Sequence, residues 1–238
     1  MRLAAAALTI AAAWTSPATA SQPKLSGAAL YDSLYAAGYH NKTTGSRALD
    51  LFPTLQNMTR SVGLASVLDI GCSHGYAVNW LWGLGVRASG VDISSNAISL
   101  ARRTRGEPED KCVGPCFRQA PATHLPWPNR SFEAVMSSDV LEHLEPSDVN
   151  QAVSEIGRVA SRFLVLKIAA RHDSTNNLAA QEKELKAQLP SDLHPTVKPM
   201  PWWYAKFARV GFALRKTIPS RHWWTCCSFV LERVSDES

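Results

Sequence analysis

Two groups of residues in this chain have types and spacings that could do chemistry. The first is Val67-Leu68-Asp69-Ile70-Gly71-Cys72-Ser73-His74-Gly75. Gly71 to Gly75 spells G-x-S-x-G, the sharp turn that presents a serine nucleophile in hydrolases. Started at Asp69, the same residues spell D-x-G-x-S-x-G, a glycine-rich turn that can cradle a cofactor. The second group is Asp139-Val140-Leu141-Glu142-His143. A histidine titrates near neutral pH and can take a proton from a reacting hydroxyl, so His143 is a candidate base; the alternative is a packing residue. On a helix, Asp139, Glu142 and His143 at i, i+3 and i+4 would share one face. An Asp/Glu/His set of that kind suits a hard or borderline divalent cation.

The turn at 71–75 needs a strand before it and a helix after it under either reading. Ser66 to Ile70 is a short apolar strand and Tyr76 to Leu84 is helical, so local context does not separate them. The hydrolase turn also needs an oxyanion loop upstream, and no HGGG-like segment precedes Ser73. It needs a late histidine as well, and His194 and His222 keep that option open. The cradle makes a different demand: an acid at the end of the next strand, about 20 residues on, to hold ribose hydroxyls. Asp92, in Gly90-Val91-Asp92-Ile93-Ser94, meets it, and the hydrolase turn has no use for it. The cradle is the better reading. Its glycines let backbone approach the ligand, the helix start offers free N–H groups, and Asp69 can fix the loop through its amides.

Further along, strands and helices alternate. Strands are expected at Ala88–Asp92, Cys116–Gln119, Phe132–Ser137, Phe163–Ala169, Leu214–Ile218 and Cys226–Arg233. Helices are expected at Ser94–Arg105 with a serine cap, Asp139–Leu144, Pro146–Val159, Gln181–Gln188 and Trp202–Val210. The result is an α/β fold, a Rossmann-like three-layer sandwich on a mostly parallel sheet. The last two strands leave no room for a helix between them, so they pair antiparallel. With 238 residues, 45% of them hydrophobic, the chain can bury a sizeable core. Its net charge of +5 is dispersed, with no Lys/Arg block to mark a nucleic-acid patch, and no nucleic-acid partner is expected.

The chain resembles the class I S-adenosylmethionine-dependent methyltransferases of the type 11 group. The residues that carry the resemblance are VLDIGCSHG, GVDIS with AISLA, and above all LPWPNRSFEAVMSSDVLEHL, over about Ser66 to Ala169. It implies a seven-stranded sheet with the last strand inserted antiparallel, and S-adenosylmethionine as cofactor. It also implies that Asp69, Gly71, Ser73 and Gly75 shape the loop around the cofactor. Asp92 would bind the ribose, Ile93 would pack on adenine, and Ala122 would join the adenine side. Ser138 and Asp139 would face the methionine end and the substrate, with Asp139 and His143 as the catalytic pair. Two positions depart from the family. Ser73 stands where glycine is usual, and Pro121 stands where an acid often meets the adenine amino group, so either adenine affinity would be lower or Gln119 would substitute. The ubiquinone-biosynthesis O-methyltransferases have a similar acid-x-x-Glu-His group that binds a divalent ion. The function implied is methyl transfer to a small molecule or glycan, at oxygen. The alternatives are a catalytically silent binding protein on the same fold and a serine hydrolase using Ser73.

The first 20 residues carry Arg2, an apolar run and Ala18-Thr19-Ala20, the form of a secretory signal peptide. The expected organisation is a signal at 1–20, a helical lead and substrate cap at 21–62, and the methyltransferase domain at 63–238. Tyr31, Tyr35, Tyr39 and His40 of the lead would help wall the substrate, with the insert from His172 to Trp203. A secretory lumen or secretion is expected, with a plastid as the alternative, and no membrane span in the mature chain. Sequons at Asn41, Asn57 and Asn129 fit a glycoprotein. Cys112 and Cys116 could bridge in an oxidising compartment, or remain two loop thiols. No C-x-x-C pair or His/Cys cluster at zinc spacing is present.

Overall fold

The computed structural model describes residues 26–36, 47–170, 193–219 and 228–234. The signal segment, Tyr39, His40, Asn41, the helix expected at 181–188, and the segment with His222, Cys226 and Cys227 lie outside the described residues.

The chain begins with α1 (Gly27–Ala36) and α2 (Phe52–Val62), and then alternates. β1 (Ser66–Ile70) leads through residues 71–75 into α3 (Tyr76–Gly83), and β2 (Arg87–Asp92) leads into α4 (Ser95–Arg105). β3 (Phe117–Gln119) and β4 (Phe132–Ser138) follow, then α5 (Val149–Val159) and β5 (Ala160–Lys167). α6 (Met200–Ala208), β6 (Phe212–Ile218) and β7 (Ser228–Arg233) complete the described chain. The expected strands are recovered to within a few residues. Ser94 is the cap of α4, its hydroxyl accepting from the Ala97 N–H at 3.2 Å. Arg102, Arg103 and Arg105 stand in the last turn of α4, where their charge complements the helix dipole.

The sheet has seven strands in the order β3-β2-β1-β4-β5-β7-β6. β1 to β5 pair in parallel, and β7 is inserted antiparallel between β5 and β6. Successive side chains alternate between two cores, as the pleat dictates. Val67, Ala134, Met136, Phe163 and Val165 face a layer built from α2, α3 and α4. Leu68, Ile70, Val135, Leu164 and Leu166 face α5 and α6, where Trp203 and Phe207 are fully buried. The sandwich thus has three layers. Edge strand β6 is mostly exposed and carries Arg215 and Lys216, charges that discourage pairing with another chain.

Cys112 and Cys116 form a disulfide four residues apart in the loop before β3. That loop is also held by the Arg87 guanidinium on the Cys112 carbonyl and the Trp127 indole N–H on the Val113 carbonyl. Closing so short a loop constrains the unfolded chain by about 2 kcal/mol. Replacing both cysteines by serine is therefore expected to lower the melting temperature by roughly 4–8 °C, read by differential scanning calorimetry. An unchanged melting temperature would mean that those hydrogen bonds alone fix β3.

One expected element is different. No α-helix runs over Asp139–Leu144. Asp139 adopts a left-handed backbone with φ 55°, its N–H donates to the Lys167 carbonyl at 3.0 Å, and only a single 3-10 turn, Leu141–His143, follows. Tertiary bonding to the neighbouring strand overrides the helical pattern there.

Candidate active site

After β3 the chain crosses to the far side of β1, so the strand order reverses between β1 and β4. In open α/β sheets a ligand crevice forms at the carboxyl ends of the strands beside such a point. The chemistry-bearing residues stand there: Asp69 and residues 71–75 after β1, Asp92 after β2, Ser138 to His143 after β4, and Lys167 closing β5.

The loop after β1 is tied to the end of β2. The N–H groups of Gly71 and Cys72 both donate to the Val91 carbonyl, at 2.8 and 3.0 Å. The Ser73 N–H donates to Asp92 Oδ2 at 2.9 Å, and Asp92 Oδ1 accepts from the Ser94 N–H at 2.9 Å. Asp92 therefore fixes the loop; Asp69, expected in that role, takes no hydrogen bond among the described residues. Gly71 and Gly75 have φ 72° and 68°. A Cβ on Gly71 would stand 2.3 Å from Val140 Cγ2, and one on Gly75 2.6 Å from the buried Phe117 ring. Neither position accepts a side chain without displacing a packed neighbour.

Both acids are buried and their ionised forms are disfavoured. Burial, reinforced by the charge of Asp92, pushes Asp69 up to about 8. Burial pushes Asp92 up to about 6, against the pull of the Ser94 and Ser73 N–H groups. Two buried carboxyls at adjacent strand ends suit a ligand that brings hydroxyl donors and positive charge, as S-adenosylmethionine does with its ribose, ammonium and sulfonium. The residues present fit that cofactor. Ile93 and Ser138 are half-buried at the crevice and Ala122 is buried. Gln119, expected on the adenine side, is exposed and donates to the Ile93 carbonyl at 3.2 Å.

Ser73 has φ 51°, a left-handed backbone that explains why glycine is usual in such loops. No hydrogen bond joins its hydroxyl to a histidine among the described residues. Ser73→Gly is expected to retain cofactor binding within a factor of about three. It should also gain stability of up to about 1 kcal/mol, the relief of strain being partly offset by a freer unfolded chain. Calorimetric titration and melting check both. Loss of an activity that depends on the hydroxyl would revive the nucleophile.

Residues 68–162 match the family described as a methyltransferase domain. The chain carries a class I methyltransferase domain. Among curated relatives, the methyltransferase GfsG of Streptomyces halstedii is 31% identical over 108 residues, 44% of this chain and 38% of that protein. A ubiquinone biosynthesis O-methyltransferase of Glaesserella parasuis is 26% identical over 124 residues, 44% of this chain and 51% of that protein. The chain thus spans about half or less of the length of these relatives. The solved 1,6-didemethyltoxoflavin-N1-methyltransferase of Burkholderia thailandensis, with bound S-adenosylhomocysteine, shares the fold at TM-score 0.59 and 15% identity. That alignment covers 86% of this chain and 85% of the other.

At the carboxyl ends of β4 and β5, the set Asp139, Glu142 and His143 is not brought to one face. Asp139 forms an ion pair with Lys167 at 3.1 Å, and Lys167 also reaches Asp50 at 3.2 Å. The acid expected to act in catalysis is therefore held by a buried cation. Glu142 and His143 instead meet His194, whose ring lies edge-on to His143 with centroids 4.6 Å apart. Sequence reasoning singled out His194 only as a late histidine for a hydrolase. Glu142 is fully buried, and burial together with Asp139 pushes it up to about 8. Its Oε1 accepts from the Ala169 N–H at 3.1 Å, while Oε2 has no hydrogen-bond partner among the described residues. A buried polar atom left so costs about 1–3 kcal/mol.

Helix α1 lies over this crevice and touches residues after both β1 and β4. Tyr35 packs on His74 with ring centroids 5.4 Å apart, and Tyr31 on His143 at 6.0 Å. Asp32 fastens the helix to the start of α4, accepting from the Ser94 and Ser95 hydroxyls and the Asn96 N–H. Nothing in the spacing of the sequence pointed to Asp32.

Proposed function

We propose that this chain transfers a methyl group from S-adenosylmethionine to a hydroxyl oxygen of a small molecule or glycan. The observation that carries the reading is Asp92. It is a buried acid at the end of β2 that grips the glycine loop through Ser73 and stands at the strand-order reversal. Bound S-adenosylmethionine supplies a methyl group activated on a sulfonium. The chain's own task is to place the acceptor in line with it and to dispose of a proton. Tyr31 and Tyr35 of α1 cover the crevice and keep water from it. When the cofactor is bound, the group around His143 would take the proton that the acceptor O–H loses. Transfer to oxygen is supported by that group and by the O-methyltransferase relative; an amine acceptor would have less need of a base. The Cys112–Cys116 disulfide and the signal-like leader support an oxidising compartment of the secretory route. No described helix is long and apolar enough to cross a membrane.

The test is calorimetric titration of S-adenosylmethionine into the full chain, with Asp92→Ala as control. Micromolar binding that the substitution removes supports the reading, and hydroxyl-bearing acceptors can then be screened. A folded chain that binds no cofactor sinks it.

A further inference from the structure

Two of the sequons, at Asn57 and Asn129, lie among the described residues, and their surroundings differ. Asn57 is exposed but sits inside α2, next to Met58, which packs in the core. The Thr59 hydroxyl of that sequon donates to the Leu55 carbonyl of the same helix at 3.0 Å. Using Asn57 as an acceptor means unwinding a helix that Phe52, Leu55 and Met58 hold to the core. Asn129 stands outside any helix or strand, just before β4, and Pro128, Asn129 and Arg130 are all exposed. Arg130 has φ 55°, so the chain turns there. The Ser131 hydroxyl bonds within this turn, donating to the Pro128 carbonyl at 2.6 Å. The orientation of the Asn129 amide is set by Arg158, whose Nη1 donates to Asn129 Oδ1 at 3.1 Å and to the Trp127 carbonyl at 2.7 Å. A guanidinium has donors and no acceptor, so the asparagine must offer its oxygen. The other end of the amide, Nδ2, is the atom that carries an N-glycan. It makes no hydrogen bond among the described residues. Attachment at Nδ2 leaves Oδ1, and with it the Arg158 bond, in place.

We propose that Asn129 carries an N-glycan at the end of the sheet opposite the cofactor crevice. Asn129 precedes β4 and the crevice lies past the carboxyl end of that strand, so about 20 Å of strand separates them. A bulky polar glycan there covers surface without obstructing the crevice. The same end of the sheet holds the Cys112–Cys116 disulfide before β3. The Trp127 indole N–H on the Val113 carbonyl joins that loop to the one bearing Asn129. Both modifications belong to an oxidising lumen, so the proposal rests on the secretory-route reading; it is independent of methyl transfer. In the step itself, Nδ2 attacks the anomeric carbon of an oligosaccharide carried on a polyprenyl diphosphate. The N–C bond forms as the C–O bond to phosphate breaks. The bonding pair goes to the diphosphate oxygen, and one Nδ2 proton passes to the departing diphosphate.

The experiment translates the full chain in the presence of microsomes from the endoplasmic reticulum. Protection from added protease reports entry into the lumen, and a mobility shift that an endoglycosidase removes reports each glycan. The protected chain is expected to lose one glycan in Asn129→Gln and in Ser131→Ala, and none in Asn57→Gln. Ser131→Ala keeps the asparagine and its Arg158 bond, so it separates loss of the sequon from a disturbed loop. Ser131→Thr should retain the glycan. A protected chain whose glycan count is the same with and without the substitutions at Asn129 and Ser131 would overturn the proposal and leave the secretory reading standing. A chain that stays open to protease would overturn both. Neither result bears on cofactor binding, which the titration with S-adenosylmethionine decides by itself.

Discussion

Asp92→Asn is expected to weaken S-adenosylmethionine binding by at least roughly 100-fold and to lower the melting temperature by roughly 6–12 °C. The native carboxylate accepts two backbone N–H groups, from Ser73 on one oxygen and Ser94 on the other. An asparagine presents one acceptor and one donor, so one of those N–H groups would face an N–H2. Charge-assisted bonds of this kind are worth about 1.5–3 kcal/mol each, and an unsatisfied buried donor adds its desolvation cost. A net loss of about 3 kcal/mol corresponds to the stated fall in melting temperature for a chain of this size. The cofactor loses twice over. The negative charge available to its ribose hydroxyls is gone, and the loop that must close on it is no longer held in left-handed geometry at Ser73. Asp92→Ala removes the acceptors without adding a clashing donor, so it should melt higher than Asp92→Asn while binding cofactor no better. Titration calorimetry and melting of the two variants together separate loop-holding from ligand-binding. Native-like cofactor binding by either variant would remove Asp92 from the site.

The strands were legible because a short apolar run buried on both faces has few alternatives. β1 and β2 were bounded to within a residue by the turn signals that follow them. The order in the sheet was legible only with the family resemblance, since a crossover leaves no mark in the crossing strand. The first part of the most specific stretch of that resemblance proves architectural. Leu125 and Trp127 are buried, their carbonyls taken by Arg158 and the Leu125 N–H by Glu155. That part reports the fold and says little of the substrate.

The misreading at Asp139–Leu144 has a single physical source. The i, i+3, i+4 pattern was real, but Lys167, a lone charge in an otherwise apolar strand, draws Asp139 into an ion pair from the next strand. Spacing along a chain cannot show a partner 28 positions away. The same limit hid His194 behind Glu142 and Asp32 behind the α4 cap. The side of the crevice that holds His143 is assembled from residues far apart in sequence, whereas the glycine loop is continuous. That is why the cradle could be argued from a nine-residue stretch and the surroundings of His143 could not.

The cofactor-free chain should lose stability as pH rises from about 5 to about 8, and Asp69→Asn should remove about half of that slope. Asp69 is buried without a hydrogen bond among the described residues, and burial with the charge of Asp92 raises it to about 8. In the unfolded chain it returns to about 3.9. Between those values the folded state holds a proton that the unfolded state has lost. Each pH unit then costs up to about 1.4 kcal/mol, and the loss ends once pH passes the folded value. Glu142, also raised to about 8, contributes in the same direction and leaves the variant a residual slope. Cofactor should reverse the sign at Asp69. Its ammonium and sulfonium favour the ionised carboxylate, so binding expels the proton and tightens by up to about tenfold per pH unit as pH approaches the folded value. Asp92, raised to about 6, adds its own dependence at lower pH. Titration at about pH 7 in two buffers of different ionisation enthalpy should count close to one proton released per cofactor in the native chain. The count should fall toward zero in Asp69→Asn. Release unchanged in the variant would place the titrating group elsewhere. Binding that ignores pH in the native chain would mean that Asp69 keeps its proton in the complex and serves as a hydrogen-bond donor rather than a counter-charge.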